Sequence, residues 1–480
     1  MLLTLCLAFF GIVAALVLFS LQPLLGITLV LCTVGGVVLM HRPFLGMLAY
    51  VFTVGFVAFF NFPITTDGLQ LGVVVLIITT LVYLGALIVN RDWSLLRIPF
   101  SRTEHILLIA FFLVIIFSIA NSRNVMQSLT GMKQITYFFL AYFIILLMVK
   151  NKKDFDRVVW MTMASGIVIG LFGVYEAFNE SVYKALGDRS LFGAELGESI
   201  MKTSRGRING MVADGDNHTI YMSFIFVLVM SLFFRVRGFW PKAAVSAALA
   251  VCFFNIFGAA SRGGVIGFLV MLAVWWFAWD GRHKVIKAIC IAAAGTVFVA
   301  IMVMSTNLKI DRLYTEASGV EAQTIDSRVV LIQISIAMFL DNPILGHGPR
   351  GFENEYLSSY AWKVTPRTRK VPTGSWNLYG EVLVNYGLVG ATLFCLLLFF
   401  ILKRLITLCI YLRGHYRGLA FSLLGIFCGF CVFASSTGFL VDLIFWLVVS
   451  LSVTFYNIFE PEIAEAKAAR KESRLTAQTA

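Results

Sequence analysis

Charged residues are scarce in this chain of 480 residues, at 13% of the total. Soluble domains carry about 25% charged residues. In this chain 59% of the residues are hydrophobic and 44 are phenylalanine, and the mean hydropathy is +0.87. Long runs without charge exclude a soluble globular domain and predict an all-α polytopic integral membrane protein. These runs lack the polar–apolar alternation of a membrane β-barrel.

The long polar segments lack cysteine. All 8 cysteines lie in apolar segments or beside them, so no disulfide framework is predicted. Cys428 and Cys431 form a C-x-x-C within an apolar run, a setting typical of helix packing rather than redox chemistry. The N-terminal segment also lacks a basic n-region and a cleavage site, and we expect a retained helix there.

Apolar runs of about 17–25 residues predict about fourteen transmembrane helices. They cover 2–22, 24–40, 44–62, 70–90, 104–120, 133–149, 158–178, 218–234, 243–260, 263–279, 286–305, 380–402, 418–435 and 440–458. The predicted organisation is N-terminal transmembrane helices (1–178), a first long outer loop (179–217), central transmembrane helices (218–305), a large periplasmic catalytic loop containing short helices (306–379), C-terminal transmembrane helices (380–459) and a cytoplasmic tail (460–480).

The basic residues predict the orientation. The formal net charge is +12, and more than half of the 38 Lys and Arg residues lie in alternate connections and in the C-terminal tail. By the positive-inside rule those connections are cytoplasmic, as are both termini. The charge is therefore explained without a nucleic-acid partner. Both long loops and Arg262 are then expected on the outer face.

Arg262 lies between two predicted helices in the sequence GAASRGG. Gly263 and Gly264 are expected to let the chain reverse there. A charged residue at membrane depth is costly, which makes a functional role plausible. The alternative is that the arginine extends to lipid headgroups.

A second polar stretch, SRGRINGMVADGDNHTIYMSF, closes the first long loop. It contains Arg207 before a turn, and then Asp216 or Asn217 as the expected N-cap of a helix. Asp214 and Asp216 form a D-x-D pair, a weak signal for a metal, and no metal site is predicted.

A third stretch, residues 326–360, belongs to the second long loop. Asp326 or Ser327 is expected to cap an apolar helix that ends near Leu340. His347 follows in a turn rich in Pro and Gly, and His218 and His347 are both expected on the outer side of the membrane. The basic sequence KVTPRTRK then supplies Arg367 and Arg369, which suit phosphate or anionic headgroups or form a solvated loop.

Glu381 lies near the start of a predicted helix in GSWNLYGEVLVNYGLVG, where a carboxylate suits the helix dipole. Several arginines on one membrane face suggest an anionic ligand, because the guanidinium group binds phosphate oxygens in pairs. A lipid pyrophosphate is the expected ligand in a membrane protein.

Four segments, in this order and on this face, resemble the O-antigen ligase/polymerase superfamily. They are RINGMVADGDN, ASRGG, SRVVLIQISIAMFLDNPILGHGPRGF and WNLYGEVLVNYGLVG, within about residues 200–395. The resemblance implies transfer of a glycan from undecaprenyl pyrophosphate to an acceptor hydroxyl at the outer leaflet, without a metal, nucleotide or other cofactor. It also implies that Arg207 (in R-x-x-G) and Arg262 (in S-R-G) bind the pyrophosphate, with Arg328 as a further arginine.

One position departs from the family pattern of His-Asn, nine residues and G-x-x-G. Asn377, Gly387 and Gly390 are present, but Trp376 stands where the histidine is expected. An indole cannot accept a proton. The candidate bases are then Glu381 and His347, and Trp376 could stack on a sugar ring.

We therefore expect a glycosyltransferase of the bacterial inner membrane that polymerises lipid-linked repeat units. The alternatives are a ligase that transfers finished glycan to lipid A core or protein, and a transporter of lipid-linked sugars. The expected partners are the undecaprenyl-pyrophosphate-linked donor, a glycan acceptor, the lipid bilayer and other polysaccharide-export proteins. No metal is expected, and inversion is expected at the anomeric carbon.

Overall fold

The computed structural model describes residues 42–56, 61–62, 69–90, 102–179, 207–212, 214–233, 235–278, 320–355, 360, 377–438 and 442–479. The helices in this part of the chain are α1 Pro43–Thr53, α2 Leu71–Asn90, α3 Thr103–Ser118, α4 Val125–Met148, α5 Lys152–Phe178, α6 Gly215–Phe233, α7 Phe239–Gly258, α8 Arg262–Ala278, α9 Val320–Asp341, α10 Gly351–Glu355, α11 Leu378–Tyr411, α12 Gly414–Phe433 and α13 Leu443–Thr479. Two short strands, β1 (Asn61–Phe62) and β2 (Leu69–Gln70), pair antiparallel.

Within the described residues, 8 helices are long and apolar enough to cross a membrane, and these are α3, α4, α5, α6, α7, α11, α12 and α13. Apolar helices of 10–17 residues lie in α1, α2, α8 and α9. The fold is therefore a helical bundle, as expected of a polytopic membrane protein. The predicted helices 2–22, 24–40 and 286–305 lie outside the described residues, and the total of about fourteen stays a prediction.

Several predicted boundaries are wrong. Helix α1 ends at Thr53, and strand β1 occupies the end of the predicted segment 44–62. Helix α4 begins eight residues before the predicted start, because Asn124 Oδ1 accepts the backbone N–H of Gln127 at 3.2 Å and caps a polar first turn. Helix α9 begins at Val320, so Asp326 and Ser327 lie inside the helix and do not cap it.

Glycines allow α8 and α12 to pack closely. A Cβ on Gly429 would lie 2.7 Å from the carbonyl oxygen of Gly267, and one on Gly425 would lie 2.8 Å from that of Met271. Small residues at such contacts let membrane helices approach backbone to backbone. This contact fixes how α8 lies against α12, and α8 carries Arg262 at its first residue.

The polar C-terminal segment continues α13 to Thr479 and packs against the ends of other helices. Arg102 Nη2 lies 2.5 Å from Glu460 Oε2, and Lys152 pairs with Glu462. These contacts hold the extension at the end of the bundle opposite Arg262. Buried Glu104 pairs with Arg404 at that same end.

Candidate active site

Arg207 is held against the turn that precedes Arg262. Its Nε donates to the carbonyl oxygen of Ala259 at 2.8 Å, and Ile208 N donates to the carbonyl oxygen of Gly258 at 3.0 Å. Its Nη2 donates to Asp216 Oδ1, also at 2.8 Å. The segment therefore lies across the end of α7, and two arginines far apart in sequence come to one corner of the bundle. We call this corner the Arg262 end.

Glu176 fixes the segment that follows Arg207. Its carboxylate oxygens accept the backbone N–H groups of Asn209 at 3.3 Å and Gly210 at 2.8 Å. Its side chain is 1% exposed, and Gly210 adopts a φ of +57°. A buried carboxylate requires such donors. None of the sequence motifs singled out Glu176, although a lone carboxylate near the end of an apolar helix is a usable signal.

Ser261 caps α8 and so determines the backbone at Arg262. Its Oγ accepts the N–H of Gly264 at 3.1 Å, and Arg262 is exposed at the first helical position. The expectation that Gly263 and Gly264 make the reversal is wrong. The residue with positive φ is Ala260, at 51°, and both glycines lie inside the helix.

These two glycines serve close packing instead. A Cβ on Gly263 would lie 2.5 Å from Ser436 Oγ, and one on Gly264 would lie 2.5 Å from Thr219 Cγ2. Side chains there would push α8 away from α6 and from the residues after α12. The close approach keeps Arg262 beside the start of α6 and the residues that follow α12.

The start of α11 lies at the same corner. Leu378 N donates to the carbonyl oxygens of Ala434 at 2.9 Å and Thr437 at 3.1 Å, which flank Ser436. Asn377 Oδ1 accepts from Tyr379 N at 3.0 Å and Gly380 N at 3.3 Å and so caps the helix. Glu381 follows in the first turn, partly exposed.

Two aspartates cap helices at this end. Asp214 accepts the N–H groups of Asp216 and Asn217, both at 3.3 Å, so it caps α6, and the expected caps Asp216 and Asn217 are wrong. Asp442 Oδ1 accepts from Ile444 N at 2.6 Å and caps α13. Burial, with a smaller contribution from the Asp214 carboxylate, raises the pKa of Asp442 to about 6. Extra negative charge is therefore disfavoured near Asp442.

The structure encloses both candidate histidines, since His218 is 0% and His347 is 1% exposed. His218 Nε2 lies 2.9 Å from Asn255 Oδ1. His347 Nδ1 lies 3.1 Å from Glu355 Oε1, and its Nε2 lies 2.8 Å from the carbonyl oxygen of Met338. Both rings are enclosed because the backbone around them folds inward, which sequence patterns do not reveal.

The cluster around His347 continues to further charged groups. Arg123 Nε lies 3.4 Å from Glu355 Oε2, and the hydroxyl of Tyr360 donates to Asp341. Burial, together with the Asp341 carboxylate, raises the pKa of Tyr360. The cluster links the loop after α9 to the residues before α4.

Helix α11 is broken at Gly387, where φ is 64° and ψ is −165°. The loop after α9 enters this break. Leu388 N donates to the carbonyl oxygen of Pro343 at 2.8 Å, while the carbonyl oxygen of Val384 accepts from His347 N at 3.0 Å. The loop thus satisfies backbone groups that the break would leave unpaired. A Cβ on Gly387 would lie 2.3 Å from the carbonyl oxygen of Ile344.

Several predicted site residues cannot be placed. Trp376, Arg367 and Arg369 lie outside the described residues. Arg328 lies on α9, but its side chain also lies outside the described part of the structure. The structure therefore brings Arg207, Arg262, Asn377 and Glu381 to one end of the bundle, and encloses the side chain of His347, which belongs to the loop after α9.

Residues 247–395 match the family model described as O-antigen ligase. This match places the segment in the O-antigen ligase/polymerase superfamily. No curated protein matches the chain. Members of this superfamily act on lipid-linked glycans in membranes, and the matched domain implies a glycosyltransferase-like enzyme in a multi-pass bacterial membrane protein.

The O-antigen ligase domain contains most of the candidate site. Its range includes Arg262, the loop after α9 and the broken start of α11. Arg207 lies outside the matched range, and its link to the site is the hydrogen bond to Ala259, which lies within it.

Proposed function

We propose that the chain polymerises undecaprenyl-pyrophosphate-linked oligosaccharide repeat units into a surface or exported polysaccharide at the periplasmic face of the bacterial inner membrane. The observation that carries this proposal is the position of Arg207, anchored on Ala259 at 2.8 Å, beside exposed Arg262. Two guanidinium groups at one corner suit a pyrophosphate. The orientation follows from the basic residues, and both termini are then cytoplasmic.

In this mechanism Arg207 and Arg262 bind the donor pyrophosphate. An acceptor sugar hydroxyl attacks the anomeric carbon, the bond from that carbon to the pyrophosphate oxygen breaks, and undecaprenyl pyrophosphate leaves. The arginines stabilise the negative charge that develops on the leaving group. A single displacement inverts the anomeric centre. No metal or other cofactor takes part.

Glu381 is the proposed base that accepts the hydroxyl proton. It lies one turn into α11, close to the exposed corner, whereas His347 is buried against Glu355. A general base must come within hydrogen-bond distance of the reacting hydroxyl. This requirement favours Glu381 over His347.

The remaining predicted residues complete the proposed substrate site. Trp376 and Asn377 come directly before α11 in the sequence, and we propose that they contact the sugar. The side-chain oxygen Oδ1 of Asn377 also caps the helix. Arg328, Arg367 and Arg369 supply further positive charge for the pyrophosphate, within the loop 306–379 that we assign to the periplasm.

The second candidate is a ligase that transfers finished glycan to lipid A core or protein, and the description of the matched family favours it. Trp376, in the position where the family pattern has histidine, favours the polymerase, because the ligases are associated with that histidine. The pyrophosphate chemistry is the same in both reactions.

The experiment is a glycan size profile, of lipid-linked and released glycan, from cells with the native chain, no chain, Arg262→Ala or Arg237→Ala. Arg237 is exposed and lies just before α7, at the opposite end of the bundle, so it is a matched control. A polymerase leaves single repeat units on the lipid when it is absent, and Arg262→Ala reproduces that profile. Long chains that persist on the lipid without reaching an acceptor identify a ligase. An unchanged Arg262→Ala profile contradicts both assignments of that arginine.

A further inference from the structure

A cavity of about 1120 Å³ lies at the end of the bundle opposite Arg262. It forms where α11 ends, α12 begins and the extension of α13 passes. Arg413, Arg417 and Arg470 line it. Glu462 also lines the cavity, but its carboxylate is paired with Lys152. The lining charge is therefore positive.

The same cavity has an apolar side that faces the surrounding membrane. Ile406 and Ile410 on α11 line it and are 42% and 58% exposed. Phe421 and Leu424 of α12 line it as well. A positively charged site that continues into an apolar wall matches a molecule with an anionic head and hydrocarbon chains.

Two tyrosines indicate that the cavity lies near the boundary between membrane and water. Tyr411 and Tyr416 both line it, and tyrosine is enriched where a membrane meets water. Many basic residues lie at this end of the described bundle, as on the cytoplasmic face of a membrane protein. Basic residues alone need no cavity, since they can extend separately to headgroups. Here they surround a concave volume.

The α13 extension keeps this volume open. Ala466 and Ala469 lie three residues apart on the helix and both line the cavity, followed by Ser473. This spacing places them on one face. Larger side chains on that face would reduce the volume of the cavity, whereas Ala464 is exposed and does not line it.

We propose that this cavity binds an anionic phospholipid of the leaflet that it faces. The phosphate group lies among Arg413, Arg417 and Arg470, and the acyl chains lie along Ile406 and Ile410. Basic pockets between membrane helices commonly bind such headgroups. The site is separate from the proposed glycan donor site, because the two lie at opposite ends of the bundle.

The test uses the full-length protein purified in a neutral detergent and titrated with cardiolipin, phosphatidylglycerol or phosphatidylcholine, with bound lipid counted by native mass spectrometry. The variant carries Arg413→Gln, Arg417→Gln and Arg470→Gln. The control carries Lys153→Gln, Arg237→Gln and Lys242→Gln. These three control residues are exposed at the same end of the bundle, outside the cavity. The two variants lose equal charge.

We expect anionic lipid to bind the native chain and the control equally, and to bind the cavity variant at least about tenfold more weakly. Equal losses in both variants would show general attraction by the charged face and would overturn the proposal. So would phosphatidylcholine binding as tightly as the anionic lipids. Competition by inorganic phosphate at millimolar concentration would identify a phosphate site rather than a lipid site.

A second variant separates cavity shape from charge. Ala469→Trp places a large side chain in the cavity without changing any arginine, and Ala464→Trp adds the same side chain on another face of the helix. We expect Ala469→Trp to displace the lipid and Ala464→Trp to leave it bound. Binding that survives Ala469→Trp places the lipid elsewhere and overturns the proposal.

Discussion

Arg207 donates a hydrogen bond from Nε to the carbonyl oxygen of Ala259 at 2.8 Å, three residues before Arg262. This bond ties a segment outside the O-antigen ligase domain to the helix start inside it. Any role that the two arginines share depends on this link, because they are 55 positions apart in the chain.

If Arg207 and Arg262 bind one pyrophosphate, their contributions are coupled. We expect Arg207→Ala and Arg262→Ala each to lower the initial rate of glycan transfer by about 100-fold, since loss of one donor to a developing oxyanion costs about that much. The double variant is expected to lose much less than the product of the two single effects. Rates with purified protein and lipid-linked donor test this. If the rate loss of the double variant equals the product of the two single losses, the arginines act independently and do not bind one pyrophosphate together.

Asp216 positions Arg207 in our interpretation. Asp216→Asn removes the charge that faces Arg207 Nη2, and we expect about a tenfold lower rate with a higher KM for the donor. Because the Asp216 side chain is 40% exposed, its loss should change the free energy of unfolding by less than about 1 kcal/mol. Thermal unfolding in detergent checks the second point. Asp216→Glu is the control, and partial recovery of the donor KM is expected there.

Substitutions of Glu381 and His347 are expected to affect different quantities, kcat for Glu381 and the melting temperature for His347. Glu381→Gln should lower kcat by about 10²–10⁴-fold, the contribution of a general base, while the protein remains folded. His347→Gln should lower the melting temperature, because it disturbs the buried contacts to Glu355 and Met338. The His347 variant that remains folded should keep its kcat. A kcat loss confined to the His347 variant would reverse this assignment.

Gly387 and Gly414 both have positive φ, but only Gly387 is closely surrounded by other atoms. Their φ values are +64° and +63°, but a Cβ on Gly387 would lie 2.3 Å from Ile344 O, and one on Gly414 meets nothing within 4 Å. Gly414→Ala should cost about 1–2 kcal/mol of stability, the price of the left-handed conformation. Gly387→Ala should cost about 1–3 kcal/mol more, because a ψ of −165° at positive φ is adopted almost only by glycine and because the Cβ would overpack the loop.

Limited proteolysis provides the second measurement for these variants. We expect Gly387→Ala to make residues 342–350 more readily cleaved, because the loop can no longer enter the break in α11. Gly414→Ala should leave that loop protected. Equal cleavage in the two variants would show that the break does not hold the loop.

The Asp442 carboxyl predicts a pH dependence of stability. Its pKa is raised from 3.8 to about 6 by burial, so the folded protein binds this proton more tightly than the unfolded chain. The contribution is fully present below about pH 4 and is lost as the pH rises to about 6. Asp442→Asn should keep the helix cap and remove this part of the slope. Melting temperatures of both proteins between pH 4 and 7 test it, and parallel curves would contradict it.

Hydropathy predicted the existence of most helices, because an apolar run long enough to span a bilayer has few alternatives to a helix. It predicted their ends less well. Helix α4 begins early because one side chain, Asn124, caps it. Helix α13 extends through a polar tail because Arg102 and Lys152 bind its glutamates. Both causes are contacts between specific side chains, and a count of apolar residues does not detect such contacts.

The sequence by itself determined that this is a helical membrane protein, and its motifs pointed to the superfamily and to Arg262. The tertiary structure decided which residues share the corner. It brought Arg207 to Arg262 through a backbone carbonyl, and it enclosed His347, one of the two candidate bases. It also assigned Gly263 and Gly264 to packing rather than to a turn. Such outcomes depend on which backbone groups meet across distant segments, and residue types along one chain do not specify them.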